Sequence, residues 1–194
     1  SGELSRLARL SLASFLANGY RVKLWSYDPD HLRAEFAAVQ DASTLLPMPA
    51  EDAANMAYLT SLFRYRVLAE QGGIWADLDV VALTDDPEIE ARPLIASEKR
   101  RPFRHAEPTA TGESLTQVTN CFMANPAPRP GDLWHRAVDR VAALNPEDRN
   151  WENVGPHMIS GLMLREPDDD IDILPPETVD PVAWWNVPGV FFEE

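Results

Sequence analysis

Between residues 51 and 79 the chain passes from its longest helical stretch, through Gly72-Gly73, into a short apolar run that ends in two aspartates. The stretch 51–71 is rich in Ala, Leu, Met, Arg and Glu, residues that lose little freedom in a helix. Glycine reaches the left-handed backbone region that ends helices, so Gly72-Gly73 is expected to close this one. Ile74-Trp75-Ala76 reads as a short strand that delivers Asp77-Leu78-Asp79. Residues two apart on an extended chain point to the same side. Asp77 and Asp79 are therefore expected to share one face, with Leu78 turned into the core. A helix, a glycine stop and a strand with a polar end make an α/β arrangement, in which functional groups gather at the carboxyl ends of strands.

The flanking sequence alternates in the same way. Leu4, Leu7, Leu10, Leu12, Phe15 and Leu16 form a stripe at near-helical spacing, and Gly19 ends it. Residues 21–27 read as a strand closed by Asp28-Pro29-Asp30. A short helix is expected over 32–38 and a second strand near Val39. Residues 80–83, 94–97, 121–124 and 171–174 read as further strands or apolar runs. Residues 132–144 and 154–164 read as helices, the second entered through Gly155-Pro156. No internal repeat or low-complexity tract interrupts the pattern. The expected fold class is therefore α/β, with a mixed central sheet flanked by helices and a single domain over 1–194, a length sufficient for one core.

The net charge of -14 opposes nucleic acid and anionic membranes as main partners. No apolar run approaches the roughly 20 residues of a membrane span, so no transmembrane segment is expected. Cys121 is the single cysteine, which excludes an internal disulfide and fits a reducing, cytoplasmic setting, with peripheral membrane attachment left open. In so acidic a chain, an anionic ligand needs a local cation: a metal, an arginine or a helix N-terminus.

Asp77 and Asp79 supply a reason for a metal. Two carboxylates held together at an apolar strand end are unfavourable unless a cation joins them. Mg²⁺ or Mn²⁺ takes oxygen ligands, commonly one or two carboxylates plus phosphate oxygens. Taken alone, Asp-x-Asp is as readily a solvated strand end. On the preceding helix, Ser61, Arg64 and Leu68 fall on one stripe, and Arg64 is placed to reach a phosphate with its planar fork. His157, at the start of a helix, is a candidate for diphosphate or acceptor, although such a histidine is more often a capping or core residue. Cys121 is expected to be buried and inert. Asp168-Asp169-Asp170 with Asp172 reads as a solvated loop, and Lys99 to Arg104 with His105 as a basic loop.

Leu62-Phe63-Arg64-Tyr65, followed by Gly72-Gly73-Ile74-Trp75-Ala76-Asp77-Leu78-Asp79-Val80, resembles the sugar-binding region with the DXD motif of family 32-type glycosyltransferases. That group includes α-1,4-galactosyltransferases, yeast mannosyltransferases, capsular polysaccharide enzymes and glucosylating toxins. Leu4-Ser5 to Leu16 with Gly19-Tyr20-Arg21-Val22, Thr119 to Ala124, and Trp151 to His157 resemble other blocks of the family. The resemblance implies a GT-A, Rossmann-like nucleotide-diphospho-sugar transferase fold. It also implies a nucleotide-sugar donor, commonly a UDP-sugar, Mn²⁺ or Mg²⁺ as cofactor, retention of anomeric configuration, and a glycan, lipid-linked or protein acceptor. Carried over by position, Asp79 would ligate the metal, and Asp77 would assist it while contacting the donor. Arg64, Ser61, Gly73, Gly155 and His157 would bind substrate, and Asn120 would lie near the sugar and take part in catalysis. The family's first strand would precede residue 1 and its C-terminal metal-diphosphate segment would follow, with Trp184-Trp185 and Glu193-Glu194 as weak substitutes. Ser61 departs from the family's usual aspartate, which puts donor specificity or activity in doubt. Two other readings of the same residues are a haloacid-dehalogenase-like phosphatase using Asp77 and Asp79, and a non-catalytic sugar-nucleotide-binding module.

Overall fold

A computed structural model of the chain describes residues 3–32, 37–48, 55–86, 89, 91–99, 117–168 and 170–182. In chain order the elements are α1 (Arg6–Ala17), β1 (Lys23–Ser26), β2 (Ala38–Asp41), α2 (Met56–Glu70), β3 (Gly73–Ala76), β4 (Leu94–Glu98), β5 (Gln117–Asn125), α3 (Leu133–Ala142), α4 (Trp151–Val154), α5 (Pro156–Arg165), β6 (Asp172–Leu174) and α6 (Pro176–Val179). The fold is mixed α/β, as expected.

The main sheet has the strand order β3-β5-β4-β6. β5 pairs antiparallel with β3 and with β4, whereas β6 runs parallel to β4. β1 and β2 form a separate parallel pair. Period-two alternation sends neighbouring side chains to opposite faces. Ile95 and Met123 enter a core with α2, α3 and α5, while Leu94, Ala96, Phe122 and Ala124 form a second core with Phe15 of α1 and Val179 of α6. Helices thus cover both faces of the sheet.

α2 is buried nearly all round, with Tyr58, Leu59, Leu62, Phe63, Tyr65, Val67 and Leu68 inside. A helix buried on most sides lies at the centre of the packing, which explains why its sequence lacks a clean polar stripe. Asn55 caps it, its side-chain oxygen accepting from the Tyr58 amide at 3.1 Å. Residues 51–54 of the expected helix, and most of the helix expected over 32–38, lie outside the described residues.

The glycine stop takes the expected form. Gly72 and Gly73 have φ of 69° and 85°. The Gly72 amide donates to the Val67 carbonyl at 3.1 Å, closing the last turn of α2. The two glycines differ in surroundings. A Cβ on Gly72 would stand 2.6 Å from the Asn125 carbonyl oxygen and 2.9 Å from Pro128, whereas one on Gly73 would meet nothing within 4 Å.

Three expectations need correction. β3 ends at Ala76, and residues 77–80 form a turn closed by the Val80 amide on the Asp77 carbonyl at 3.0 Å. Leu78 is therefore not in the core but exposed, because a turn does not keep the two-residue alternation of a strand. Residues 80–83 form no strand, and Leu83 is 89% exposed. This segment is held instead by α1: Asn18 Nδ2 donates to the Ala82 carbonyl at 3.1 Å, and the Ala82 amide donates to Ser14 Oγ at 2.9 Å. The helix expected over 154–164 is split at Gly155, whose extended backbone separates α4 from α5.

Gly72→Ala is expected to destabilise the fold by about 3 kcal/mol, combining left-handed strain with overlap against Asn125 and Pro128. Gly73→Ala should cost only the strain, about 1–2 kcal/mol. Urea unfolding of the two variants checks this; equal losses would show that the close approach at Gly72 contributes nothing.

Candidate functional site

Asp77 follows β3 directly, and its amide extends the ladder by donating to the Cys121 carbonyl of β5 at 2.8 Å. Its backbone position is thus set by the sheet. Its carboxylate is held from two sides. Trp75 Nε1 donates to Oδ1 at 2.8 Å, and Arg64 Nη1 donates to Oδ2 at 3.3 Å. Trp75 and Asp77 are two residues apart and fall on one side, the geometry the sequence assigned to Asp77 and Asp79.

Arg64 rises from α2 with its side chain only 11% exposed. A guanidinium this buried needs several partners. Besides Asp77 it donates to the Asn120 carbonyl at 2.8 Å and to the Thr60 carbonyl at 3.3 Å. Its guanidinium carbon lies 5.5 Å from the centre of the Trp75 ring, a cation–π contact. Phe63 packs edge-on against the Trp75 ring at 6.2 Å, and Trp25 of β1 packs edge-on against Phe63 at 5.6 Å. Trp75 is one site residue that sequence reasoning missed, since an apolar strand accounts for a tryptophan without any second role.

Asp79 is different. It sits exposed on the turn, and among the described residues no hydrogen bond or ion pair engages its carboxylate. Asp77 and Asp79 line one groove of about 470 Å³ together with Leu78, opposite Leu4, Ser5, Leu7 and Ala8 at the start of α1. Ser5 caps that helix, accepting from the Ala8 amide at 3.1 Å. The electropositive end of α1 therefore faces the acidic turn.

The electrostatics of the pair are unfavourable as it stands. Burial raises the pKa of Asp77 above the usual carboxylate range; Arg64 and the Trp75 hydrogen bond oppose this, and the charge of Asp79 adds to the rise. A third acid enters from the end of the described chain. Asp180, just after α6, has its pKa raised by burial and then by Asp79. Glu98, at the end of β4, is raised by burial and then by Asp180. Lys99 anchors this segment, pairing with Glu177 at 3.3 Å and donating to the Pro181 carbonyl at 3.2 Å. Nothing in the sequence around Asp180 marked it; only the packing of α6 on β4 brings it near.

Asn120 is buried, at 7% exposure. Its side-chain amide donates to the Tyr65 hydroxyl at 3.2 Å, and that hydroxyl donates to the Val154 carbonyl at 3.0 Å. Asn120 thus positions Arg64 through its own carbonyl and ties β5 to α2 and α4. Ser61 is buried at 3% exposure and does not line the groove. Gly73 acts in the helix-to-strand junction described above. Gly155 sits against Trp151, where a Cβ would come within 2.8 Å of the Trp151 carbonyl oxygen. His157 is not brought to the acidic pair; it lines a separate hollow between α3, α4 and α5. Burial pushes the Cys121 thiol up to about 11, consistent with an inert side chain. Asp168 and Asp170 face Arg136 and Arg129, at 3.8 and 2.8 Å. Asp169, the basic run from Arg100 to Arg104, His105, Trp184-Trp185 and Glu193-Glu194 lie outside the described residues.

Among the described residues no group of three or more His, Cys, Asp or Glu side chains is arranged to hold a metal ion. The Asp77–Asp79 pair nevertheless suits a hard divalent ion that takes one or two carboxylates and fills its shell from phosphate and water. The donor atoms are all oxygen, Asp79 is free of protein partners among the described residues, and the mutual repulsion of the pair is what a cation would relieve.

No protein-family model matches the chain, and neither a curated protein nor a solved structure matches it.

Carboxyl-carbon NMR titration tests the charge arrangement. Asp77 should titrate above the ordinary aspartate range. Asp79→Asn should lower its midpoint by removing a like charge, and Arg64→Ala should raise it by removing the opposing one. Because the folded pKa is raised, Asp77 favours the folded state less as pH rises from the unfolded pKa through the folded one. An Asp77 midpoint unmoved by both substitutions would contradict this geometry.

Proposed function

We propose that this chain is a glycosyltransferase that moves a hexose from a nucleotide-sugar donor, of the UDP-sugar class, to a glycan, lipid-linked or protein acceptor. The observation that carries this reading is the division of labour between the two aspartates. Asp77 is fixed by Trp75 and Arg64, while Asp79 stands open on the same groove. The resemblance of residues 62–80 to the DXD region of family 32-type glycosyltransferases, which implies a GT-A fold, supports the same reading.

In this mechanism Asp79, with Asp77 behind it, would hold Mn²⁺ or Mg²⁺, which would supply neutralising charge to the donor diphosphate. Arg64 favours the ionised form of Asp77 and orients it while the charge on the leaving nucleotide grows. The first turn of α1 adds its free amides and helix dipole on the opposite wall. The acceptor hydroxyl attacks the anomeric carbon on the face from which the nucleotide departs. The bond from that carbon to the phosphate oxygen breaks, and the hydroxyl proton passes to the departing phosphate. This front-face course retains configuration without a protein nucleophile. Asn120 supports the reaction through Arg64 rather than by touching the sugar.

The phosphatase reading has less support. It needs a free aspartate nucleophile and a lysine beside it. Both Asp77 oxygens are engaged, and Lys99 faces Glu177 and Pro181. The binding-module reading shares the donor site and differs only in turnover.

Isothermal titration with UDP is expected to show binding that strengthens at least tenfold with Mn²⁺, and Asp79→Ala should abolish that gain. With a UDP-sugar, Asp79→Ala should reduce donor turnover about 100-fold or more, the scale expected for removing electrostatic stabilisation of a leaving group. UDP affinity that ignores the metal would sink the proposal. Metal-dependent binding with no turnover would favour the binding module.

A further inference from the structure

The hollow that holds His157 shares no lining residue with the acidic groove and measures about 430 Å³. Arg140, in the last turn of α3, and Arg165, in the last turn of α5, converge on it with His157. Glu152 of α4 is the one carboxylate in its lining. Among the described residues neither the Arg140 nor the Arg165 side chain has a hydrogen bond or an ion pair, which is also true of the exposed Arg6, Arg9 and Arg21, whereas Arg64, Arg66, Arg92, Arg129 and Arg136 each have a carboxylate partner. The helix dipole explains an arginine in either last turn taken singly. It does not explain why two of them, from different helices of a chain with a net charge of -14, face one concavity.

Gly161 adds an independent observation. His157, Gly161 and Arg165 are spaced i, i+4, i+8 and form one stripe along α5. Glycine inside a helix is destabilising relative to alanine. A Cβ at Gly161 would meet nothing within 4 Å, so the chain's own packing does not call for glycine there. In the lining of the hollow, it leaves bare backbone open to close approach by a ligand. Trp151 is not itself in the lining but adjoins it through His157: it is 53% exposed, with its ring perpendicular to that of His157 at a centroid distance of 6.4 Å. An exposed indole offers a flat apolar face to a pyranose ring. Glu152 offers an acceptor to sugar hydroxyls, and the paired guanidiniums suit a carboxylate or phosphate.

We infer that the hollow between α3, α4 and α5 binds an anionic saccharide, with Arg140 and Arg165 clasping its acidic group and Trp151 against its ring. The site stands apart from the acidic turn and needs neither nucleotide nor metal. Isothermal titration tests it with trigalacturonate and glucose 6-phosphate as anionic sugars, and with maltotriose and inorganic phosphate as controls. At least one anionic sugar should bind at least tenfold more tightly than both controls, and which one does so identifies the acidic group. Arg140→Ala with Arg165→Ala should weaken that binding at least tenfold. Gly161→Gln fills open space, so it should fold, with a melting temperature no lower than the parent's, and lose the ligand. Four results would overturn the inference: no binding of either anionic sugar at millimolar concentration, a control that binds as tightly, full affinity in the double arginine variant, or full affinity in Gly161→Gln. Because no nucleotide or metal is present, failure here is distinct from failure of the transferase reading.

Discussion

The arrangement at the acidic turn depends on one nearly buried guanidinium. Arg64 leaves α2 and ends among the Asn120 carbonyl of β5, the Asp77 carboxylate after β3, and the face of Trp75 in β3. A charge placed there without partners would cost several kcal/mol. With them it joins the central helix to two strands. A lysine could not do the same, because a single ammonium cannot lie flat on the indole while directing donors to a carbonyl and a carboxylate. The edge-to-face chain from Trp25 through Phe63 to Trp75 supports the indole from behind. The position of Asp77 thus follows from packing in both the helix layer and the sheet.

From that fixed point the groove takes shape. The turn after Asp77 is pinned at Ala82 by Ser14 and Asn18, which sets α1 alongside it. The start of α1 then lines the groove opposite Asp79. Asp180 and Glu98 bring further negative charge to the same end of the sheet, and both have raised pKa values for the same reasons, burial first and a neighbouring carboxylate second. Among the described residues these acids outnumber the cations beside them, Arg64 and Lys99. Under the proposed function, a divalent ion arriving with its anionic ligand would relieve this repulsion.

The α/β class, the long helix, the glycine stop and the placement of Asp77 at a strand end were legible because each has a local cause. Helix propensity, positive φ and period-two alternation act over a few residues. The errors fell where tertiary contacts decide. Leu78 was expected inside because strand alternation was carried one residue too far, into a turn closed by Val80 on Asp77. Residues 80–83 look like a strand by composition, yet α1 takes their hydrogen bonds. Trp75 looked like core and is partly that, but its indole N–H orients the carboxylate. Asp180 and the separate hollow around His157 depend on how α6 meets β4 and how α3 meets α5, which no short window of residues encodes. Ser61 was assigned by position in a motif, and its burial follows from a helix enclosed on nearly every side.

Asp77 and Asp79 are alike in the sequence and unlike in the structure, and the difference bears on chemistry. A carboxylate with both oxygens engaged by donors is held in one orientation and is a poor nucleophile, since attack would forfeit its hydrogen bonds to Trp75 and Arg64. It retains lone pairs for a hard cation, and its orientation has already been set by the fold. A carboxylate on an exposed turn has the opposite properties: it is free to bind, and it must be ordered by whatever it binds. One preset ligand beside one free ligand suits an ion that arrives with its own phosphate oxygens, because the rigid partner fixes where the ion sits and the free one closes on it afterwards. A covalent mechanism would need the reverse, a free nucleophile beside a restrained acid or cation. The asymmetry of the pair therefore favours binding and charge neutralisation over bond formation at Asp77.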